Sequence, residues 1–318
     1  MSIGNIDLGL CCINMSLREK KPKSIFVNRT CRLDTAKKNG LEYVNALSLQ
    51  NTKDCVQLLD WNERNGIKSY RLSSDMFPHL SNTAFSDYDY KIDFSALNLF
   101  DIGNKAFEYG QRLSMHPGQF NQIGAKDEKV FQKTILDLSC HCKILDFIEK
   151  DLDFEENRAI ICIHGGGVYG DKKKTMERWC KNFERLPENL KSRICIENCE
   201  KCYNVKDCLE MSERLNIPVI FDLHHYECYS KLHPDEKQLD LHEALGKVFK
   251  TWEKRNLKPY CHISEQGKGK IGHHSDYISK IPDCFLRINT PFTLDVEAKM
   301  KEKAIFKLLE THGVERKN

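Results

Sequence analysis

The sequence predicts a (β/α)8 barrel, an α/β fold whose working face lies at the C-terminal ends of its strands. Three observations predict it. Short apolar or β-branched runs recur along the chain, separated by longer polar segments with helical periodicity. The alternation continues without a domain-scale linker, a low-complexity tract or a sequence repeat, so residues 1–318 read as one domain. Run after run also ends in a histidine, glutamate or aspartate at the entry to a loop.

The elements follow in order. Strand 6–13 contains Leu10 and leads through Cys11-Cys12-Ile13 to Asn14 and helix 41–63. Strand 67–72 ends Arg71-Leu72-Ser73-Ser74-Asp75 before helix 96–109. Strand 112–115 runs into His116, a Pro-Gly turn, then Gln119 and the exposed-looking Phe120, before the long helix 128–149. Strand 159–163 is followed by His164 and Gly165-Gly166-Gly167, where missing side chains let backbone approach a ligand, then by helix 174–184. Strand 193–196 delivers Glu197-Asn198 before helix 205–215, and strand 217–221 delivers Asp222-Leu223-His224-His225 before helix 239–253. Strand 259–263 carries Tyr260 and His262 into an extended loop that holds His274. Strand 284–288 is the eighth, and Asp295-Val296-Glu297-Ala298-Lys299 opens the last helix, 298–311.

Composition sets the limits. A chain of 318 residues, 40% hydrophobic and 30% charged, is ordinary globular material. No apolar run approaches the ~18 residues of a membrane span, so no membrane partner is expected. The segment Met1–Leu8 has no basic region before its first apolar residues, which reads as not secreted. A net charge of +3 neither demands nor excludes nucleic acid. Fifteen cysteines, an odd number with several inside strand runs, read as free thiols in a reducing intracellular compartment. Cys199-Glu200-Lys201-Cys202 has no second well-spaced pair and reads as a loop beside the site rather than a zinc ribbon.

The strand-end residues carry the chemistry. Each has a structural alternative: a buried Glu paired with an Arg, His224 in the core, Asp295 as a helix cap. Gathered together without matching Lys or Arg, they would repel or titrate, and divalent metals are the usual remedy. Mixed imidazole and carboxylate ligands suit Zn, Mn or Fe. About eight such groups exceed one ion's needs, so two or three ions are expected, a set suited to displacement at phosphate. Arg71, Lys172, Lys268 and Lys270 are the candidate phosphate-backbone contacts, and Lys299 could stabilise charge on a cleaved phosphate. A sugar isomerase or epimerase on the same barrel is the competing reading; the long loop after His116 and the excess of ligands argue against a small closed sugar pocket.

With these residues laid out, the chain resembles the UV-damage endonuclease family, a branch of the xylose-isomerase-like barrels that also includes the endonuclease IV type of AP endonuclease. The matching stretches run nearly end to end: Leu8–Asn14, Asn28–Arg32, Tyr70–Asp75, Arg112–Phe120, His164–Asp171, Ile196–Asn198, Phe221–His225, His262–Glu265, His274–Tyr277 and Asp295–Lys299. Singly each is weak; ten in order are specific. The resemblance implies an enzyme, probing duplex DNA as a monomer, that nicks immediately 5′ to cyclobutane pyrimidine dimers or 6-4 photoproducts, with abasic sites as a further substrate. The nick leaves 3′-hydroxyl and 5′-phosphate ends and initiates excision repair. It implies up to three divalent ions, manganese foremost, with zinc, cobalt and magnesium as alternatives. Carried over residue by residue, the ligands are His116, His164, Glu197, Asp222, His225, His262, His274 and Glu297, with Glu197 bridging and catalytic. Gln119 and Phe120 match a pair that probes the duplex, with Asn14, Leu10, Arg71 and Tyr260 as further contacts to DNA or lesion. Two departures stand out. Leu10 replaces a frequent tyrosine, which bears on lesion preference. Tyr260 stands where some members carry a modified lysine, so no carbamate can form there and the third metal loses a ligand.

Overall fold

The computed structural model describes residues 3–88 and 90–314. Eight parallel strands close on themselves in sequence order. β1 (Ile6–Cys11) leads through a short α1 (Met15–Arg18) to α2 (Leu33–Arg64), which is broken at Gly40 (φ 78°, ψ −178°). Then come β2 (Ser69–Leu72), α3 (Ala96–Tyr109), β3 (Arg112–Met115), α4 (Glu128–Ile148), β4 (Ile160–His164), α5 (Lys172–Glu184) and α6 (Glu188–Lys191). The second half runs β5 (Ile194–Glu197), α7 (Val205–Leu215), β6 (Val219–Asp222), α8 (Leu223–Leu232), α9 (Leu241–Glu253), β7 (Tyr260–Ile263), α10 (Asp283–Leu286), β8 (Phe292–Val296) and α11 (Glu302–Thr311).

Side chains alternate across each strand, and the alternation divides two kinds of interior. Outward-facing residues such as Leu8, Leu10, Ile161, Ile163 and Ile196 join one apolar core with Leu138, Leu145, Met211 and Val248 from the helices. Inward-facing residues are polar: Ser69, Arg71, Ser114, Cys162, Glu197, Tyr260, His262 and Asp295 are all buried inside the barrel. Gly9 shows how tight this interior is. A Cβ there would lie 1.8 Å from Asp295 Oδ1. The barrel floor is therefore a polar layer, cross-linked between strands by contacts such as Arg71 with Asp295 and Tyr260 with Ser114.

Helix starts are capped by the residues that the loops deliver. Asp127, Asp171, Asn204, Asp222 and Asp240 each accept a backbone N–H from the following turn. Glu302, at the start of α11, reaches across to accept from the N–H groups of Met15 and Ser16, both at 2.8 Å, and so ties the last helix to the first.

The eighth strand lies elsewhere than predicted. Residues 284–288 mostly form α10, with Pro282 as its N-cap, and β8 is Phe292–Val296. A five-residue apolar run fits a strand or a buried helical turn equally well by pattern, and the proline before it decides for the helix. Asp295 is consequently a strand residue facing inward rather than a helix cap, and α11 begins only at Glu302. α8, starting directly from β6, is a helix the periodicity did not reveal. Among the described residues no helix is long and apolar enough to cross a membrane.

Candidate metal centre

Glu197 is the last residue of β5 and fully buried. Four imidazoles surround its carboxylate. His116 Nε2 is 2.9 Å from Oε2 and His262 Nδ1 2.9 Å from Oε1. His225 Nδ1 stands 3.3 Å from Oε1 and His164 Nε2 3.6 Å from Oε2. The Cys162 thiol donates to Oε2 from below at 3.0 Å. Barrel register explains the convergence: His164 pairs with Glu197, Asp222 with His262, and His262 with Asp295 across neighbouring strands.

The second ring of contacts sets orientation. His225 Nδ1 lies 3.0 Å from the Asn198 carbonyl, and its backbone N–H donates to Asp222 Oδ1 at 2.8 Å. Arg71 Nη2 is 2.8 Å from His262 Nε2; a guanidinium only donates, so Nε2 accepts and Nδ1 carries the proton toward Glu197. Arg71 also pairs with Glu297 Oε1 at 2.5 Å and with Asp295 Oδ2 at 3.3 Å. Glu297 in turn faces His262 at 3.5 Å and the loop residue His274 at 3.8 Å.

Charge states follow from this packing. Burial works to raise the Glu197 carboxyl, but the surrounding imidazoles outweigh it and hold it well below the carboxylate range. Burial acts likewise on Glu297, and Arg71 then His262 reverse it. Burial pushes the His164 imidazole down to about 4. His225 is opposed by burial yet raised well above its ordinary value by Asp222 and Glu197.

The donor set fits divalent cations. His164 Nδ1 and Asp222 Oδ2 are buried with no hydrogen-bond partner, two orphaned groups within one pocket of ligands. Among the described residues three groups of side chains could each hold an ion: His116, His164 and Glu197; Cys162, Glu197 and His262; Glu197, Asp222 and His225. Glu197 belongs to all three.

Other expected residues are placed differently. Arg71 is inside the barrel, not on the exposed rim, and it overturns the premise that the carboxylates lack a matching cation. Leu10 is fully buried on the outer face of β1, because Gly9 and Cys11 take the inward positions, so it packs in the core rather than toward a lesion. Tyr260 is fully buried beneath His262 with its hydroxyl 2.9 Å from Ser114 Oγ, out of reach of a phosphate. Asn14 caps α1, accepting from Leu17 N–H at 2.9 Å, and is buried. Lys172 is held by Asp207 at 2.7 Å. Lys299 is exposed two residues beyond Glu297, and Lys268 and Lys270 are exposed on the loop after β7. Gln119 is exposed, and Phe120 is 84% exposed on the loop after β3. Asn121 and Gln122 anchor that loop: Asn121 Nδ2 donates to Asp137 Oδ2 at 2.8 Å, and Gln122 Oε1 accepts from Gly167 N–H at 2.8 Å. Cys162, Asn198 and Asp295 enter the centre unforeseen in these roles. Strand alternation was the available signal for two of them, since Cys162 shares a face with His164 and Asp295 with Glu297.

The profile of the UV-endonuclease UvdE family matches residues 6–317. A protein of Acanthamoeba polyphaga mimivirus, named a UV-damage endonuclease by inference, is 37% identical over 309 residues, 95% of this chain and 90% of that protein. The UV-damage endonuclease of Schizosaccharomyces pombe is 34% identical over 314 residues, 97% of this chain but 51% of its own length. The chain thus spans about half the length of its curated fungal relatives. The crystal structure of SacUVDE superposes with a TM-score of 0.81 at 29% identity, covering 97% of both chains. A D-allulose 3-epimerase from Methylomonas sp. reaches a TM-score of 0.50 at 12% identity, a likeness of fold alone.

Proposed function

The chain belongs to the UV-endonuclease UvdE family, and on that premise we propose that it is a phosphodiester hydrolase that nicks UV-damaged duplex DNA. The cut falls immediately 5′ to a pyrimidine dimer or 6-4 photoproduct and leaves 3′-hydroxyl and 5′-phosphate ends, opening the strand for excision repair. The observation that carries the reading is the convergence of four imidazoles on the buried carboxylate of Glu197 at the C-terminal face.

His116, His164, Glu197, Asp222, His225 and His262 would hold two or three divalent ions, manganese foremost, with Glu297 and His274 at the margin. Such ions, when bound, polarise a phosphate oxygen and acidify water. The remaining roles fall to the chain itself. Arg71 pairs with Asp295 and Glu297, holds Glu297 below the carboxylate range and fixes the tautomer of His262. The exposed ring of Phe120, beside Gln119, is suited to fill the gap left when a lesion is displaced from the stack. Cross-linked pyrimidines stack poorly, so displacing them costs less than displacing normal bases, and this difference selects damage without reading sequence. Lys299 faces solvent near Glu297 and is suited to meet the charge on the cleaved phosphate. Fifteen free thiols support a reducing intracellular compartment, and the protein acts as a monomer.

A nicking assay tests this. An end-labelled duplex with one defined cyclobutane dimer is compared with undamaged and abasic duplexes, in manganese or in EDTA. A manganese-dependent cut immediately 5′ to the dimer is expected. Cutting at the abasic site alone would make the protein an AP endonuclease, and no cutting of any duplex by metal-loaded protein would sink the reading.

A further inference from the structure

The loop after β5 carries a second piece of chemistry that strand cleavage does not use. Cys199 follows Glu197 and Asn198 and is buried; Cys202 is partly exposed. The turn between them is wound around one sulfur. Cys199 Sγ accepts the N–H groups of Cys202 and of Tyr203, both at 3.2 Å, and the Cys199 N–H donates to the Tyr203 carbonyl at 2.8 Å. The Cys202 N–H contact brings the backbone of the second cysteine directly against the sulfur of the first. Neither belongs to the three groups of side chains that could hold an ion among the described residues. A lone C-x-x-C lacks the four ligands of a structural zinc site.

We propose that Cys199 and Cys202 are a reversible thiol–disulfide modification site whose co-substrate is a low-molecular-weight disulfide. The accessible Cys202 sulfur attacks the small disulfide, forming a mixed disulfide and expelling one small thiolate. The Cys199 sulfur then attacks the Cys202 sulfur, forming the internal bond and expelling the second. Two protein thiols are oxidised, one disulfide is reduced to two thiols, and each proton lost by a cysteine is taken up by a departing thiolate.

The surroundings suit these unequal roles. The neighbouring Cys199, then Lys172 and Lys201, hold the Cys202 thiol down to about 7 against burial and Glu200. Most other thiols, such as those of Cys55, Cys195 and Cys261, are sealed in the core, where burial pushes them up. The turn also touches the metal centre on two sides. Asn198, next to Cys199, presents its carbonyl to His225 Nδ1, and the Tyr203 hydroxyl donates to the Gly167 carbonyl at 3.1 Å, in the loop after His164.

The test uses the full chain, incubated in oxidised glutathione, quenched by alkylation and mapped by mass spectrometry. The 199–202 segment is expected to escape alkylation and to be lighter by two hydrogens. Dithiothreitol should restore it, and the far-ultraviolet circular dichroism should be unchanged. Cys202→Ser should abolish the change, whereas Cys140→Ser, at a partly exposed thiol elsewhere, should retain it. A segment that stays fully alkylated in oxidised buffer would overturn the proposal. So would a glutathione adduct that persists on Cys202 without being resolved by Cys199.

Discussion

Replacing Arg71 by methionine keeps the apolar stem of the side chain and removes its charge from the middle of the barrel. Asp295 is fully buried, and its other polar contacts are long: Ser69 Oγ at 3.4 Å and Cys11 Sγ at 3.5 Å. Glu297 loses its 2.5 Å partner and keeps only the imidazoles of His262 and His274, at 3.5 and 3.8 Å. Removing one member of a buried ion pair costs about 3–5 kcal/mol, because the surviving charge stays desolvated. The metal-free variant should therefore be less stable than the parent by about that amount at neutral pH, measured by urea denaturation in EDTA. The pH dependence has a definite sign. Glu297 is held below its ordinary value of 4.5, so its contribution is present above that pH and lost as pH falls through its folded value. In the variant Glu297 loses the largest influence opposing its burial, so it takes up a proton more readily. The gap between parent and variant should shrink on acidification, and divalent metal should close part of it at neutral pH by supplying the missing positive charge. A gap below about 1 kcal/mol at neutral pH, or one that widens toward acid, would refute an internal counter-ion role for Arg71.

Three further outcomes follow from the same geometry. Glu197→Gln should weaken metal binding by at least about 100-fold, since even outer-shell changes reach that range, and should abolish cleavage while DNA binding persists; cutting at near-normal rate would remove the bridging role. Phe120→Ala should change stability by no more than about 0.5 kcal/mol, as the ring is already 84% exposed, yet lower the preference for damaged over intact duplex in competition binding. An equal loss of metal affinity would count against a wedge. His225 is raised above 6.5, so its stabilisation of the metal-free fold is complete below that pH and disappears as pH rises through its folded value. Asp222→Asn should flatten that alkaline decline in urea midpoint, and an unchanged slope would assign it to another group.

Much of the centre was legible because barrel chemistry sits at strand ends, and strand ends are marked by a change of composition. The run 112–115 ending in His116 and the run ending in Glu197 were readable as local patterns. What stayed hidden was whatever depends on the far side of the barrel. Nothing near Arg71 in sequence indicates that its partners lie on β8, so a buried counter-ion read as a phosphate contact. Leu10 misled for the opposite reason: motif position suggested a lesion contact, while alternation from Gly9 turns it outward into the apolar core. β8 was misplaced because residues 284–288 are apolar enough for a strand, while Phe292–Val296 carries a threonine and an aspartate that only a polar barrel interior accommodates.

That polar interior gives Gly9 a meaning beyond its own strand. By secondary-structure preference, a glycine in mid-strand is an invitation to substitute a β-branched residue. Here the space beside it is already filled by a carboxylate oxygen from the other end of the chain. Positions 9 and 295 are therefore coupled in any mutational landscape of this barrel. A library that varies position 9 alone will read as intolerance there, and a smaller residue at 295 that makes room for it also takes one carboxylate away from Arg71.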